Sequence, residues 1–546
     1  MTFKKLGIVA LALALALSAL GAAAESTFNA EGYPISNELI TVTAAGPFGL
    51  QIEYEEILTW QEWQDRLGIK FEMNFYNGED WPTQFTLMIA SDSLPDIIFS
   101  SGLSAADCAE YGSQGYFVNL LDYEELIPNV KQAWEDYPGL QAAMTSYDGG
   151  VYGTKAIVTS VVNKIPRVFI NKVWLENVGK EIPTTIDELY DVLVAFKEMD
   201  ANGNGDPNDE IPMGYYTNST AQTEKALLAA FGFITDSTEY ILQADEENNI
   251  YIAETTEPYR AYLRFMHQCY EEGLMDSEAF TLTNAEVMQN CANDRYGFYG
   301  TGSAPYVMAT ADMSYDANWA GVMGLTSEYN DTPTLGIPSG IQSGFQMHIN
   351  AASEYVEELV RFVDYLYTEE GGTSTFSGYE GVTFDYEMDD LLGIEVLTIY
   401  CPEGYSSSDE FRQYKAVFNG PFLTYSGIPV RDAIWYDASE ETLKNPEVVN
   451  KYGWIANLAL ASRAEGLQHV STFPSEAMSY TQEELEVLTA LKTDITNYLQ
   501  QAKASFIIGE WDLDTDWDTF IEQLNAMGLD QLLAIEQASW DRFNAA

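Results

Sequence analysis

Basic residues are scarce in this chain. It carries 25 Lys and Arg against 84 Asp and Glu over 546 residues, a formal charge of −59. A field of that sign repels phosphate backbones and argues against nucleic acid as a partner. It also mildly disfavours a strongly anionic ligand unless a local basic pocket overrides it. Histidine is scarcer still, with three residues, His267, His348 and His469. The four cysteines, Cys108, Cys269, Cys291 and Cys401, include no C-x-x-C pair. These shortages leave a zinc site or a cysteine–histidine nucleophile poorly supported. Cys269 and Cys291 are candidates for a disulfide in an exported protein, which spacing alone does not establish. Beyond the N-terminal region no stretch approaches the roughly 18 uninterrupted apolar residues of a membrane helix, and there is no internal repeat.

What is present begins with an N-terminal leader. Lys4 and Lys5 precede an apolar run from Leu6 to Leu20, and Ala22-Ala23-Ala24 supplies the small residues a signal peptidase accepts. Residues 1–24 read as a secretory signal peptide cleaved before Glu25. The remaining length exceeds what one hydrophobic core organises, so at least two lobes are expected. Leu39 to Ala44 reads as a strand, Ile52 to Leu67 as a helix stopped by Gly68, and Ile69 to Phe75 as an alternating strand. Pro82 to Ala90 suits a helix and Asp96-Ile97-Ile98-Phe99 a short buried strand. This β-α-β-α-β order predicts an α/β lobe with a parallel sheet. Ligands of such sheets bind at the carboxyl ends of strands, where Gly46–Gly49 and Ser100–Gly102 fall. Val168 to Asn171 reads as a strand and a crossing segment to a second lobe. Thr185 and Glu188 form a capping box opening a helix to about Met199. Thr223 to Asn293 reads as largely helical, Tyr296–Tyr306 and Gly336–Asn350 as strand-like, and Ser353–Tyr367, Gln482–Gln500 and Trp517–Phe543 as helical.

One motif is sharp. Asp200, Asn202, Asn204 and Asp206 place side-chain oxygens at every second position, with Gly203 and Gly205 permitting a tight curl. Calcium takes six to eight oxygens from a flexible loop, and this spacing resembles the first half of an EF-hand loop. The twelfth position is Ile211, so the usual bidentate Glu is missing, and Asp209 and Glu210 are expected to complete the shell. The expectation is one structural Ca2+ loop, remote from any ligand.

Several segments, in order, are similar to those of a known family. They are Gly32-Tyr33-Pro34-Ile35, Leu94-Pro95-Asp96-Ile97-Ile98-Phe99, Asp148-Gly149-Gly150-Val151-Tyr152-Gly153, Ile182-Pro183-Thr184-Thr185 and the calcium loop. Asp364 to Gly371, Gly378-Tyr379-Glu380-Gly381-Val382, Phe506-Ile507-Ile508-Gly509, Trp517-Asp518 and Met527 to Asp530 follow. Across nearly the whole chain the sequence resembles extracellular solute-binding proteins, the large carbohydrate-binding lipoproteins of ABC importers. The resemblance implies an α/β, two-lobed periplasmic-binding-protein fold of type II-like form, with a crossover hinge, a helix-rich C-terminal part, a cleft that closes on ligand and no catalysis. It implies an oligosaccharide ligand and a membrane permease as partners of a monomeric receptor outside the cytoplasm. Residues 25–167 are expected to begin the first lobe and 168–295 to form the second, with 296–350 returning to the first and 351–546 mainly in the second. The family's lipobox Cys is absent, since the matching region reads Leu20-Gly21-Ala22-Ala23-Ala24-Glu25, which favours a periplasmic or freely secreted protein.

A sugar presents apolar C–H faces and a rim of hydroxyls, which aromatic platforms and polar edge groups answer. The aromatics in loop-like contexts are Trp81, Trp319, Phe345, Tyr379 beside Glu380, and Trp435 and Tyr436 after Arg431. These eight residues are the candidate ligand contacts, because binding residues concentrate on loops. Three rival readings stay open. A peptide or other solute receptor would use the same scaffold. A surface adhesion or sensor protein would bind glycans without transport. A secreted glycoside hydrolase would need two carboxylates flanking a sugar bond, and no local signature picks out such a pair.

Overall fold

The computed structural model describes residues 27–47, 54–137, 139–158, 165–206, 208–215, 222–235, 237, 240–302, 304–305, 317–417, 438–475 and 478–545. The strands in chain order are β1 (Ile40–Pro47), β2 (Ile69–Tyr76), β3 (Ile97–Phe99), β4 (Thr154–Ile157), β5 (Val168–Asn171), β6 (Ile211–Met213), β7 (Leu242–Ala244) and β8 (Ile250–Ile252). They continue with β9 (Tyr296–Gly300), β10 (Trp319–Gly321), β11 (Thr334–Ile337), β12 (Ile341–Ile349), β13 (Phe384–Asp389), β14 (Ile394–Ile399) and β15 (Gln468–Ser471).

Two larger sheets organise two lobes. The first runs β2-β1-β3-β12-β4 and the second β10-β5-β9-β6. In the first, β1 pairs in parallel with β2 and β3, as the β-α-β alternation predicts. β12 then enters antiparallel to both β3 and β4, so the sheet is mixed rather than parallel. The apolar alternation of Ile69, Phe71 and Met73 points into a core where Trp60 and Trp63 meet Phe71, Phe99 and Phe362 edge-on, a geometry aromatic quadrupoles prefer, and Phe71 meets Phe99 and Phe362 tilted. Trp63 also donates to Ser374 Oγ at 3.1 Å, so its polar edge is satisfied inside the core. The helix Leu58–Leu67 follows a single 3-10 turn at Tyr54–Glu56 and ends at Gly68, whose φ of +74° is the left-handed cap its lack of a Cβ permits.

The second lobe is built on β5, which starts as expected at Val168 and carries the chain straight into the helix Lys172–Val178. Thr185 caps the helix Ile186–Glu198 by accepting from the Glu188 amide at 3.1 Å. The return half of the expected capping box is shifted by one residue: the Glu188 carboxylate takes the Thr184 amide and hydroxyl, each at 2.8 Å. The stretch 223–293 is not continuously helical. Helices Gln222–Ala230, Glu257–Glu271 and Asn284–Ala292 are interrupted by the antiparallel hairpin β7–β8. The long helix Gln482–Ile508 and the helices Trp517–Ala526 and Leu529–Ala545 pack onto this lobe's core through Leu488, Ile495, Leu499, Phe506, Phe520 and Leu532.

The pairing divides 296–350 between the sheets. β9 and β10 pair with β5 in the second, and the return to the first begins at β12. The helices Val356–Tyr365 and Glu369–Phe376 also lie on the first lobe, where Phe362, Val363 and Tyr365 enter its core. The Val158 amide, just after β4, donates to the Gly340 carbonyl, just before β12, at 2.7 Å. Gly340 sits at φ +85°, where an L side chain is strained. Cys269 and Cys291 are both buried and unbonded, in separate core clusters, so the candidate disulfide does not form here. Among the described residues no helix is long and apolar enough to cross a membrane.

Candidate functional site

A cavity of about 560 Å³ opens between the two lobes. Its first-lobe wall is Ser104–Ala106, Ala142, Ala143, Thr145–Tyr147 and Lys155. Its second-lobe wall includes Thr235, Ser237, Tyr240, Phe473, Ser475, Tyr480, Thr489, Lys492 and Glu536. The polar lining is dominated by hydroxyls, with two ammonium groups and one carboxylate.

The first-lobe wall is held by the loop after β3. Ser100 adopts a positive φ of 45° and donates its amide to the Gln346 carbonyl at 2.5 Å. The Ser101 carbonyl accepts from Trp81 Nε1 at 2.8 Å, and Ser101 Oγ lies 2.7 Å from His348 Nε2. Those anchors deliver Ser104 to the cavity as the cap of the helix Ala105–Ser113, where it forms a full capping box with Asp107. Lys155 on β4 lies over the Phe345 ring, 5.0 Å from its centroid, and reaches the Gln342 carbonyl at 3.3 Å. Across the gap, Glu536 accepts the Tyr240 hydroxyl at 2.5 Å and the Tyr480 hydroxyl at 2.8 Å. Phe473 packs on Trp540 with centroids 5.0 Å apart. Tyr147 is the most exposed of the wall's rings, at 37 %.

The oxygen-rich loop of the second lobe curls as its spacing predicts, with Gly203 and Gly205 at φ +75° and +93°. Asp200 Oδ2 accepts from the Gly205 amide at 2.9 Å, Asn202 Oδ1 from the Asn204 amide and Asn204 Oδ1 from the Asp206 amide. The amide groups of Asn202 and Asn204 both donate to the Asp209 carboxylate. Glu210 Oε1 accepts from the Ala201 amide, and burial pushes the Glu210 carboxyl upward. Arg295 ties the loop to β9 by donating to the Asp209 carbonyl at 2.9 Å. Among the described residues no three His, Cys, Asp or Glu side chains are gathered as a metal cluster. Two buried carboxylate oxygens in the loop, Asp200 Oδ1 and Glu210 Oε2, nevertheless have no hydrogen-bond partner. An unpaired buried carboxylate oxygen is costly, and a hard cation is the species that relieves it. The donor set therefore fits calcium.

Residues 53–373 match the family of bacterial extracellular solute-binding proteins. The chain belongs to that family. Along its full length this solute-binding protein is 26 % identical to the fructooligosaccharide ABC transporter substrate-binding protein FusA of Streptococcus pneumoniae, covering 99 % of that relative. Two solved structures share the fold. FusA as an EF-hand mutant with fructo-nystose gives a TM-score of 0.69, and FusA with kestose gives 0.67. Each is 23 % identical to this chain and covers 93 % of it and 100 % of the solved chain.

The residues singled out from sequence do not converge in this solute-binding protein. Trp81 (4 % exposed) and Phe345 (1 %) stand behind the first-lobe wall, the one pinning Ser101 and the other underlying Lys155. Trp319 (1 %) belongs to the second lobe's core with Leu335 and Trp454, and has no face turned to solvent. Tyr379 is buried in the first lobe, its hydroxyl 2.7 Å from that of Tyr365 and its ring under Arg66, while Glu380 is exposed beside it. Neither residue lines the cavity. Arg431, Trp435 and Tyr436 lie outside the described residues, as does the expected signal peptide. The wall residues that sequence reasoning missed are Tyr147, Tyr240, Phe473, Tyr480, Lys492 and Glu536.

Proposed function

We propose that this protein captures an oligosaccharide in the inter-lobe cavity, without turning it over, and delivers it to the permease of an ABC importer outside the cytoplasm. The observation that carries this reading is the cavity itself. Both lobes contribute walls to it, and rings and hydroxyls line it. The kinship with FusA, whose structures hold fructo-nystose and kestose, supports the ligand class. Tyr147 offers its ring to the sugar's C–H surface, while Ser104, Thr145 and Thr489, whose protons go to Asp107 Oδ2 and to the Gln141 and Leu485 carbonyls, offer hydroxyl oxygens that accept from its rim. Trp81 and Phe345 act behind that wall by holding it in place. Asp200, Asn202, Asn204, Asp206, Asp209 and Glu210 hold a structural Ca2+, a reading that the EF-hand named in the FusA structure supports. When bound, the ion neutralises the loop's carboxylates and fixes the turn between the helix Ile186–Glu198 and β6.

The test is a thermal-shift screen with calcium present, against neutral oligosaccharides, acidic oligosaccharides and peptides. A ligand that binds only the native state raises the melting temperature by mass action. A dose-dependent shift from a glycan class, with that glycan recovered intact, is the expected result. Recovery as shorter fragments would make the protein a hydrolase, and a response to peptides alone would replace the ligand class.

A further inference from the structure

The second-lobe wall of the cavity is organised around one carboxylate. Glu536, on the helix Leu529–Ala545, is 1 % exposed, and each of its oxygens accepts one tyrosine hydroxyl: Oε1 from Tyr240, Oε2 from Tyr480. The three residues come from separate parts of the chain. Tyr240 precedes β7, Tyr480 precedes the helix Gln482–Ile508, and all three line the cavity. A phenol has one proton, and in both tyrosines it is committed to Glu536. Towards a ligand these two oxygens therefore accept and do not donate. Burial, and then the Glu536 charge, hold the Tyr480 hydroxyl protonated well above the usual tyrosine range.

A sugar hydroxyl can donate to such an edge. A uronate carboxylate cannot, and it also meets the Glu536 charge behind the rings. The cavity's ammonium groups lie elsewhere on its walls. Lys155 is on the first lobe, and Lys492 lies over the Tyr240 ring, 5.9 Å from its centroid. We infer that Tyr240, Tyr480 and Glu536 form a hydroxyl-accepting subsite that selects neutral sugar units over uronate units, with Glu536 as the positioning residue that orients both phenols. This inference rests on the oligosaccharide reading above and adds its charge class.

Titration calorimetry of the protein with kestose, maltotriose and trigalacturonate tests it, on wild type, Glu536→Gln and Tyr480→Phe. Wild type is expected to bind a neutral trisaccharide at least tenfold more tightly than trigalacturonate. Each variant is expected to weaken neutral binding about tenfold, roughly 1.4 kcal/mol, and to narrow the neutral-to-uronate ratio. Tyr480→Phe keeps the ring and removes one hydroxyl, so it reports even if Glu536→Gln folds poorly. Trigalacturonate binding as tightly as the neutral sugars overturns the subsite. So does a ratio unchanged in both variants while the unliganded melting temperature falls, because that is a structural role alone. In both cases neutral binding leaves the oligosaccharide reading standing. Failure of all three sugars to bind removes that reading and the subsite with it.

Discussion

Acid is expected to loosen the cleft through a single histidine. His348, on β12, is 1 % exposed and stacked on Phe117 with centroids 4.6 Å apart. Its Nδ1 lies 2.9 Å from the Tyr152 carbonyl, which only accepts, so the ring donates there. Its Nε2, 2.7 Å from Ser101 Oγ, therefore accepts the serine proton in the neutral ring. Burial pulls the His348 pKa from 6.5 down to about 4. For a base depressed on folding, the unfolded chain binds the proton first. The neutral ring's contribution is full above pH 6.5 and is lost as pH falls towards 4. At 1.36 kcal/mol per pH unit the whole window amounts to about 3 kcal/mol, of which roughly 2 kcal/mol is lost between pH 7 and 4.5. Protonation also puts a second donor against Ser101, whose loop carries the cavity's first-lobe wall. With three histidines in the chain, ring proton resonances can be assigned by substitution and followed across pH. The His348 resonance is expected to stay in its neutral position down to about pH 5, and urea unfolding of His348→Gln is expected to lose less stability than wild type between pH 7 and 4.5. A His348 resonance that titrates near pH 6.5, or equal losses in both proteins, would refute the reasoning.

Glu254 in the second lobe should act with the opposite sign. Burial pushes its pKa from 4.5 up to about 7, near Lys503 and Glu224, so its contribution is complete below pH 4.5 and disappears as pH rises through about 7. Glu254→Gln should flatten that slope and raise stability at pH 8 by up to about 3 kcal/mol, and an unchanged pH profile in urea unfolding would count against it. Asp200→Ala should lower the melting temperature and erase its calcium dependence. A calcium-dependent shift as large as in wild type would sink the metal assignment. Trp81→Phe removes the 2.8 Å bond to the Ser101 carbonyl and should cost about 1–3 kcal/mol as a lost buried partner, with weaker glycan binding. Stability within error of wild type would show that Trp81 does not anchor the loop.

The local part of the fold was legible because its signals are local. The alternation of Ile69, Phe71 and Met73, the stop at Gly68 and the cap at Thr185 all act within a few residues, and the strand, the helix stop and the second helix appear where they are expected, while the first helix, expected from Ile52, begins at Leu58. The antiparallel β12 was not legible, because Met347 pairs with Phe99 across nearly the whole first half of the chain and no short window encodes that choice. The hairpin β7–β8 carried a readable signal that the helical reading overrode. Asp245 accepts from the amides of Glu247 and Asn249, and Asn248 takes a φ of +65°, which is the turn chemistry of Asp and Asn.

The site escaped for a related reason. Aromatic rings in Gly-flanked or polar stretches read as exposed platforms, yet rings there serve equally to nail a turn to the core. Trp81 nails the loop after β3 through Ser101, and Tyr379 nails its turn through Tyr365. The wall comes instead from segments that tertiary packing gathers, and its central carboxylate looks like one surface acid among 84. Even so, its position was informative. Along the last helix the residues that bury are Leu529, Leu532, Glu536 and Ser539, a spacing of three and four that marks one inward stripe. A carboxylate on such a stripe must find donors or remain neutral. Here the donors are two phenols from distant parts of the chain, and the same requirement that satisfies the buried charge fixes the polarity of the surface that the cleft presents to its ligand.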